Sequence, residues 1–191
     1  MSRHLVVTGT GRAGTTFLVQ LLGACGLDTG LDGSEALDPI ANAGCEWHLV
    51  ARDLPYVVKS PELCGHLGSF IADGHAIDHV LLAVRDIGDA AESRRRVTAA
   101  GGAAGGLWGT TDPAEQERVL ETRLCAGIVE MADLGLPVTI LAFPRMVRDV
   151  FYLWKRLRPL LLRERTEPGL ADEFWRAFEA LAKPELVHEW R

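Results

Sequence analysis

Gly9, Gly11, Arg12, Ala13, Gly14, Thr15 and Thr16 lie within eight consecutive residues, and together they supply the backbone freedom, the cation and the hydroxyls needed to wrap an anion. Glycines let the chain turn tightly and approach a ligand with no Cβ in the way. An apolar run over residues 4–8 precedes them and an apolar helical pattern over 15–25 follows, so the loop feeds a helix N-terminus whose free N–H groups and positive dipole end face the same point. The chemistry this pattern serves is the holding of a phosphate or sulfate group.

The loop is close to the G-x-x-x-x-G-K-[ST] phosphate loop but departs from it. Gly9 and Gly14 keep the spacing, while Thr15 stands where that loop has its lysine. The cation is Arg12 instead, and a planar guanidinium holds two oxygens of one anion at once. The sequence therefore favours an anionic group bound or transferred without the loop lysine and its metal.

The elements that must position these residues alternate between strand and helix. Strands are predicted over 4–8, 56–59, 79–84 and 136–142, with helices over 15–25, 61–72, 89–99, from the Asp112-Pro113 start signal to about 133, and over 146–162 and 170–182. Strands as apolar as 80–84 are buried on both faces, as in a parallel sheet covered by helices. The predicted fold class is α/β: one three-layer P-loop-type domain over 1–191, with a mostly parallel central sheet of four to five strands flanked by helices. Ligands of such sheets sit at the carboxyl ends of the strands. There the sequence places Arg12, Lys59, Arg85 and Arg145, a cationic crevice in an acidic chain. The irregular stretch 26–55 is long enough to read as functional, and the Gly/Ala run 101–106 reads as a mobile hinge or lid edge. Arg94-Arg95-Arg96 reads as a solvated helix face, and Val147, Val150, Phe151 and Trp154, at helical spacing, as core.

A net charge of −6 argues against binding nucleic acid by phosphate neutralisation. Cys25, Cys45, Cys64 and Cys125 show neither C-x-x-C pairing nor zinc spacing, so no disulfide and no metal is expected. His75 and His79 are four apart, but Gly74 and the apolar run after them speak against a shared helical face. Apolar stretches fall far short of the roughly 20 residues that span a membrane, which points to a cytoplasmic protein with no membrane partner.

Three blocks carry a family resemblance. Gly9-Thr-Gly-Arg-Ala-Gly-Thr-Thr16 resembles the 5′-phosphosulfate-binding loop of sulfotransferases that use 3′-phosphoadenosine 5′-phosphosulfate (PAPS), in the branch with arginine for the loop lysine. Tyr56-Val-Val-Lys-Ser-Pro61 is similar to the family's second-strand Lys-[Ser/Thr]-Pro element. His79-Val-Leu-Leu-Ala-Val-Arg-Asp86, with Ser93 eight residues after Arg85, resembles its 3′-phosphate-binding strand, turn and helix. The family's Pro after Arg-Asp is Ile87 here, and residues 101–191 show no counterpart of the segment that closes over the adenine.

The resemblance implies PAPS as donor, adenosine 3′,5′-bisphosphate as product, and a hydroxyl of a small molecule or glycan as acceptor. Arg12 and Lys59 would stabilise charge on the transferring group, and Arg85 with Ser93 would hold the 3′-phosphate. For the base, Glu35 leads by its place after the first helix, as in the glycan sulfotransferases, and His48 follows, since histidine serves in the cytosolic ones. Two other readings stay open. One is an ATP/Mg²⁺-dependent small-molecule kinase with Asp86 or Asp89 and Thr16 at the metal. The other is a nucleotide-binding module that does not turn over.

Overall fold

A computed structural model describes residues 2–47, 53–102, 104–166 and 168–189. Four strands, β1 (Arg3–Gly9), β2 (Val57–Lys59), β3 (Ala76–Val84) and β4 (Val138–Ala142), form one sheet in the order β2-β1-β3-β4. Every pairing is parallel, with Leu5 opposite Val57, Val7 opposite Leu81, and Leu82 opposite Ile140. Parallel neighbours require crossovers, and helices supply them: α1 (Thr15–Ala24), α2 (Leu67–Ala72), α3 (Ile87–Ala99) and α4 (Gln116–Asp133). Three more, α5 (Arg145–Arg148), α6 (Val150–Glu164) and α7 (Leu170–Leu181), follow β4.

Because side chains alternate across a strand, each strand feeds two cores. Leu5, Val7, Leu81 and Ala83 face Leu18, Leu22, Leu153, Leu157 and Phe174 of α1, α6 and α7. Val6, Val58, Val80 and Leu82 face Leu67, Phe70 and Met131 of α2 and α4. Helix α3 extends that second layer through Ala90 and Ala91 against Leu120. The three-layer α/β arrangement is the one expected.

Three of the boundaries that differ from the sequence pattern have a clear local reason. Residues 61–72 split into a 3-10 turn, Pro61–Leu63, and α2, with Gly65 between them at φ +94°. Strand β3 begins at Ala76 because Ala76 and Ile77 pair with Arg3 and His4. The helix expected over 146–162 breaks at Asp149, whose Oδ1 accepts the Tyr152 N–H at 2.8 Å and so starts α6 anew. Phe151, expected in the core, is 74% exposed and meets Trp175 edge-on, with ring centroids 5.2 Å apart.

Candidate functional site

At the carboxyl ends of β1, β2 and β3 lies a cavity of about 490 Å³, lined by the loop from Gly11 to Thr16, by Lys59, Arg85 and Ser93, and by chain from the long loop and the C-terminal segment. Strand β1 delivers the glycine loop there. Gly9 has φ +146°, and a Cβ on it would stand 2.3 Å from the Ala83 carbonyl oxygen, so the loop passes over β3 only because this residue has no side chain. The first turn of α1 points at the cavity with a left-handed Gly14 before it and no side-chain cap on its N–H groups.

The expected phosphate-loop residues and the Arg85/Ser93 pair come together. Arg12, itself at φ +55°, turns its guanidinium so that Nε donates to Ser93 Oγ at 3.0 Å and Nη1 donates to the Ala41 carbonyl. Arg85 Nη1 donates to the Arg12 carbonyl at 2.9 Å, and its Nη2 donates to the carbonyl of His188. Lys59, only 1% exposed, donates to Thr16 Oγ1 at 3.0 Å and to the Gly44 carbonyl, and pairs with Glu46 Oε1 at 3.3 Å. Five separate segments, around residues 12–16, 41–46, 59, 85–93 and 188, thus meet around one cavity.

Other expected residues stand elsewhere. Arg145 is exposed, reaches Asp149 Oδ2 at 3.1 Å and lies over the Tyr152 ring; it is not among the lining residues. Its place in the cationic set is taken by Arg94. Glu35 folds back on its own turn, accepting the N–H groups of Asp32 at 2.7 Å and Gly33 at 3.1 Å, and does not line the cavity either. His48 lies outside the described residues. Of the aromatic residues, Phe17, Trp108 and Phe143 line the cavity, whereas Trp154 packs on Phe174 and Trp47 donates its indole N–H to the Thr29 carbonyl at 3.1 Å. Asp86 caps α3 by accepting the Asp89 N–H at 3.0 Å.

Arg94 corrects the solvated-face reading of its cluster. It is 5% exposed, with Nη2 donating to the Thr10 carbonyl at 2.7 Å and Nη1 to the Gly106 carbonyl at 2.6 Å. A Cβ on Gly11, at φ +71°, would fall 2.3 Å from Arg94 Nη2, so the glycine is what lets the guanidinium in. A signal was available: Ala90 and Val97 mark the inward stripe of α3, and Arg94 lies four residues after the first and three before the second. Within the expected hinge 101–106, Gly105 and Gly106 are packed rather than free, Gly105 against the Arg12 side chain and Gly106 with its carbonyl bound to Arg94. Glu46 carries no comparable signal, because an irregular loop has no period from which to read a side chain's direction. Neither do Lys183 and His188, which line the cavity from beyond α7.

Burial sets the electrostatics. It lowers the pKa of Arg12, with the positive charge of Arg85 acting in the same sense, and it lowers that of Lys59 against the opposing pull of Glu46. Arg94 is brought down to about 10, again chiefly by burial. Cations held out of water at this density are stabilised by an anion placed among them. Nε of Arg94 is also buried with no hydrogen-bond partner among the described residues.

No family model matches this sequence, and none of the curated proteins compared with it does. Among solved structures, the chain is similar to the sulfotransferase domain from the curacin biosynthetic pathway, at 14% identity and a TM-score of 0.51 over 91% of this chain and 78% of that one. It is likewise similar to the sulfotransferase domain of the Synechococcus PCC 7002 olefin synthase, at 16% identity and a TM-score of 0.51 over all of this chain and 90% of that one. The fold, an all-parallel four-stranded sheet between helices, is therefore that of sulfotransferase domains.

Proposed function

We propose that this chain is a transferase of the sulfotransferase type, taking PAPS as donor and a hydroxyl of a small molecule or glycan as acceptor. The observation that carries the reading is the tie between the two halves of the expected donor site. Arg12 of the glycine loop touches Ser93, and Arg85 touches the Arg12 carbonyl, so a 5′-phosphosulfate site and a 3′-phosphate site share one arginine. The residues fit such a donor: an uncapped helix N-terminus, a glycine cradle that a Cβ would fill, and lining cations in excess of carboxylates.

In this reading the donor supplies an activated sulfuryl group, and the chain does the rest. The first turn of α1 with Thr15 and Thr16 orients the 5′ end, and Arg85 and Ser93 hold the 3′-phosphate. Arg12 and Lys59 face the charge that spreads over the transferring and leaving oxygens, which is where fixed donors lower a barrier most. We assign the acceptor hydroxyl's proton to Glu46, which lines the cavity beside Lys59, in preference to Glu35, whose carboxylate is engaged by its own turn. The test follows transfer of labelled sulfate from PAPS to a panel of hydroxyl compounds. Glu46→Gln should lose about 10²–10⁴-fold in turnover while still binding adenosine 3′,5′-bisphosphate, and Glu35→Gln should retain turnover. Loss in Glu35→Gln alone would return the base to that residue, and ATP consumption dependent on Mg²⁺ would replace the reading with a kinase.

A further inference from the structure

We infer that the acceptor of this site is an uncharged or cationic hydroxyl compound with an apolar body, and that Glu46 and Glu62 select it against anionic ones. The inference rests on the donor reading above. Among the described residues, the cations Arg12, Lys59, Arg85, Arg94 and Lys183 line the cavity against two carboxylates, Glu46 and Glu62. A PAPS molecule brings about four negative charges, counting two on the 3′-phosphate and one each on the phosphate and sulfate of its 5′ end. The loaded cavity therefore carries about one negative charge in excess.

That excess is not spread evenly. Strands β2 and β3 lie on opposite sides of β1, so the elements after them flank the glycine loop from opposite sides. Arg85 follows β3. Lys59 ends β2, Glu62 comes three residues later in the Pro61–Leu63 turn, and Glu46 reaches the same lysine, so both carboxylates belong to the β2 side. The cation that ends β2 is spent within the wall. Lys59 is bound to Thr16, Gly44 and Glu46, and Arg94, which reaches the cavity from α3, has both Nη groups bound to carbonyls. Leu37, Leu107 and Trp108 add apolar lining, and two guanidiniums lie on the Trp108 ring, Arg123 at 4.1 Å and Arg94 at 5.1 Å from its centroid. An anionic acceptor entering there meets two carboxylates and a bound polyanion, and Lys59, the cation that ends β2, is already paired with Glu46.

The experiment titrates three phenols that differ chiefly in charge, 4-ethylphenol, tyramine and 4-hydroxyphenylacetate, into the full chain saturated with adenosine 3′,5′-bisphosphate, by calorimetry. One like charge about 10 Å away in an effective dielectric near 20 changes affinity by roughly tenfold. The neutral and cationic phenols should therefore bind at least about tenfold tighter than the anionic one, and Glu62→Gln should narrow that gap without weakening the bisphosphate. Equal or tighter binding of 4-hydroxyphenylacetate, or no binding by any of the three, overturns the inference while leaving the donor reading intact. Failure of adenosine 3′,5′-bisphosphate to bind in the first titration overturns both, and it is seen before any phenol is added.

Discussion

Replacing Gly11 by alanine separates backbone strain from the contact that locks the loop. The residue sits at φ +71°, where a non-glycine side chain costs about 1–2 kcal/mol. Its new Cβ would also fall 2.3 Å from Arg94 Nη2. The end of a long side chain yields cheaply when it is free, but Arg94 is buried and held to the carbonyls of Thr10 and Gly106. Giving up the Thr10 bond alone loses a charged hydrogen bond worth about 1.5–3 kcal/mol. Strain and lost bond together destabilise the fold by about 2.5–5 kcal/mol. Gly33 is the control, since it has φ +85° with nothing within 4 Å of where a Cβ would stand, so Gly33→Ala should cost only the strain, about 1–2 kcal/mol. Urea midpoints at an unchanged denaturant slope measure both. In an Arg94→Met background, the cost of Gly11→Ala should fall to that of the strain, because the clash has been removed. Equal costs for Gly11→Ala and Gly33→Ala, or full additivity with Arg94→Met, would refute the lock.

Other consequences can be checked on the same protein. Arg12→Ala removes the guanidinium shared by the two halves of the proposed donor site and should weaken adenosine 3′,5′-bisphosphate by about 10–150-fold, measured by calorimetry, since a charged contact is worth about 1.5–3 kcal/mol. An unchanged affinity would place the anion elsewhere. Lys59→Met keeps the buried stem but not the charge, and should reduce turnover far more than it reduces binding of the bisphosphate; parallel losses would make Lys59 a binding residue only. His4 and His79 both have pKa values below the usual 6.5, chiefly because burial disfavours the charged ring. The unfolded chain then takes up protons first, so stability should be complete above about pH 6.5 and decline as the pH falls through the lowered folded values. His4→Gln should flatten that decline in urea midpoints taken at pH 7.5 and 5.5, and an unaltered slope would contradict the assignment.

The glycine loop was legible as a tight turn into a helix because its constraints are local: three glycines, an arginine and a helix start leave few ways to fold, and the chain turns with positive φ at Gly9, Gly11, Arg12 and Gly14 before α1. The sheet was legible from apolar runs too continuous for a one-sided surface, such as Val80–Leu81–Leu82. What the sequence hid depended on tertiary partners. Arg94 lies in a run of three arginines whose chemistry suggests water, and only the phase of Ala90 and Val97 turns one of the three inward. Glu46 and Glu35 sit in the same irregular stretch, where no periodicity tells a carboxylate that meets Lys59 from one that closes its own turn. The break at Asp149 is a capping competition won by a side chain bonding to Tyr152 N–H, invisible in the apolar spacing of Val147, Val150 and Trp154. His188 reaches Arg85 across 103 positions of sequence, a contact no local pattern encodes.

The proposed function requires one cavity to hold both ends of a nucleotide phosphorylated at its 3′ and 5′ positions. Its most direct test is calorimetric titration of adenosine 3′,5′-bisphosphate and adenosine 5′-monophosphate into the metal-free protein, with Arg85→Ala alongside. The bisphosphate should bind at least about tenfold tighter, the least that a charged contact to the 3′-phosphate is worth, and Arg85→Ala should remove most of the difference. Equal affinities in the parent protein, or tighter binding of ATP with Mg²⁺ than of the bisphosphate, would contradict that function.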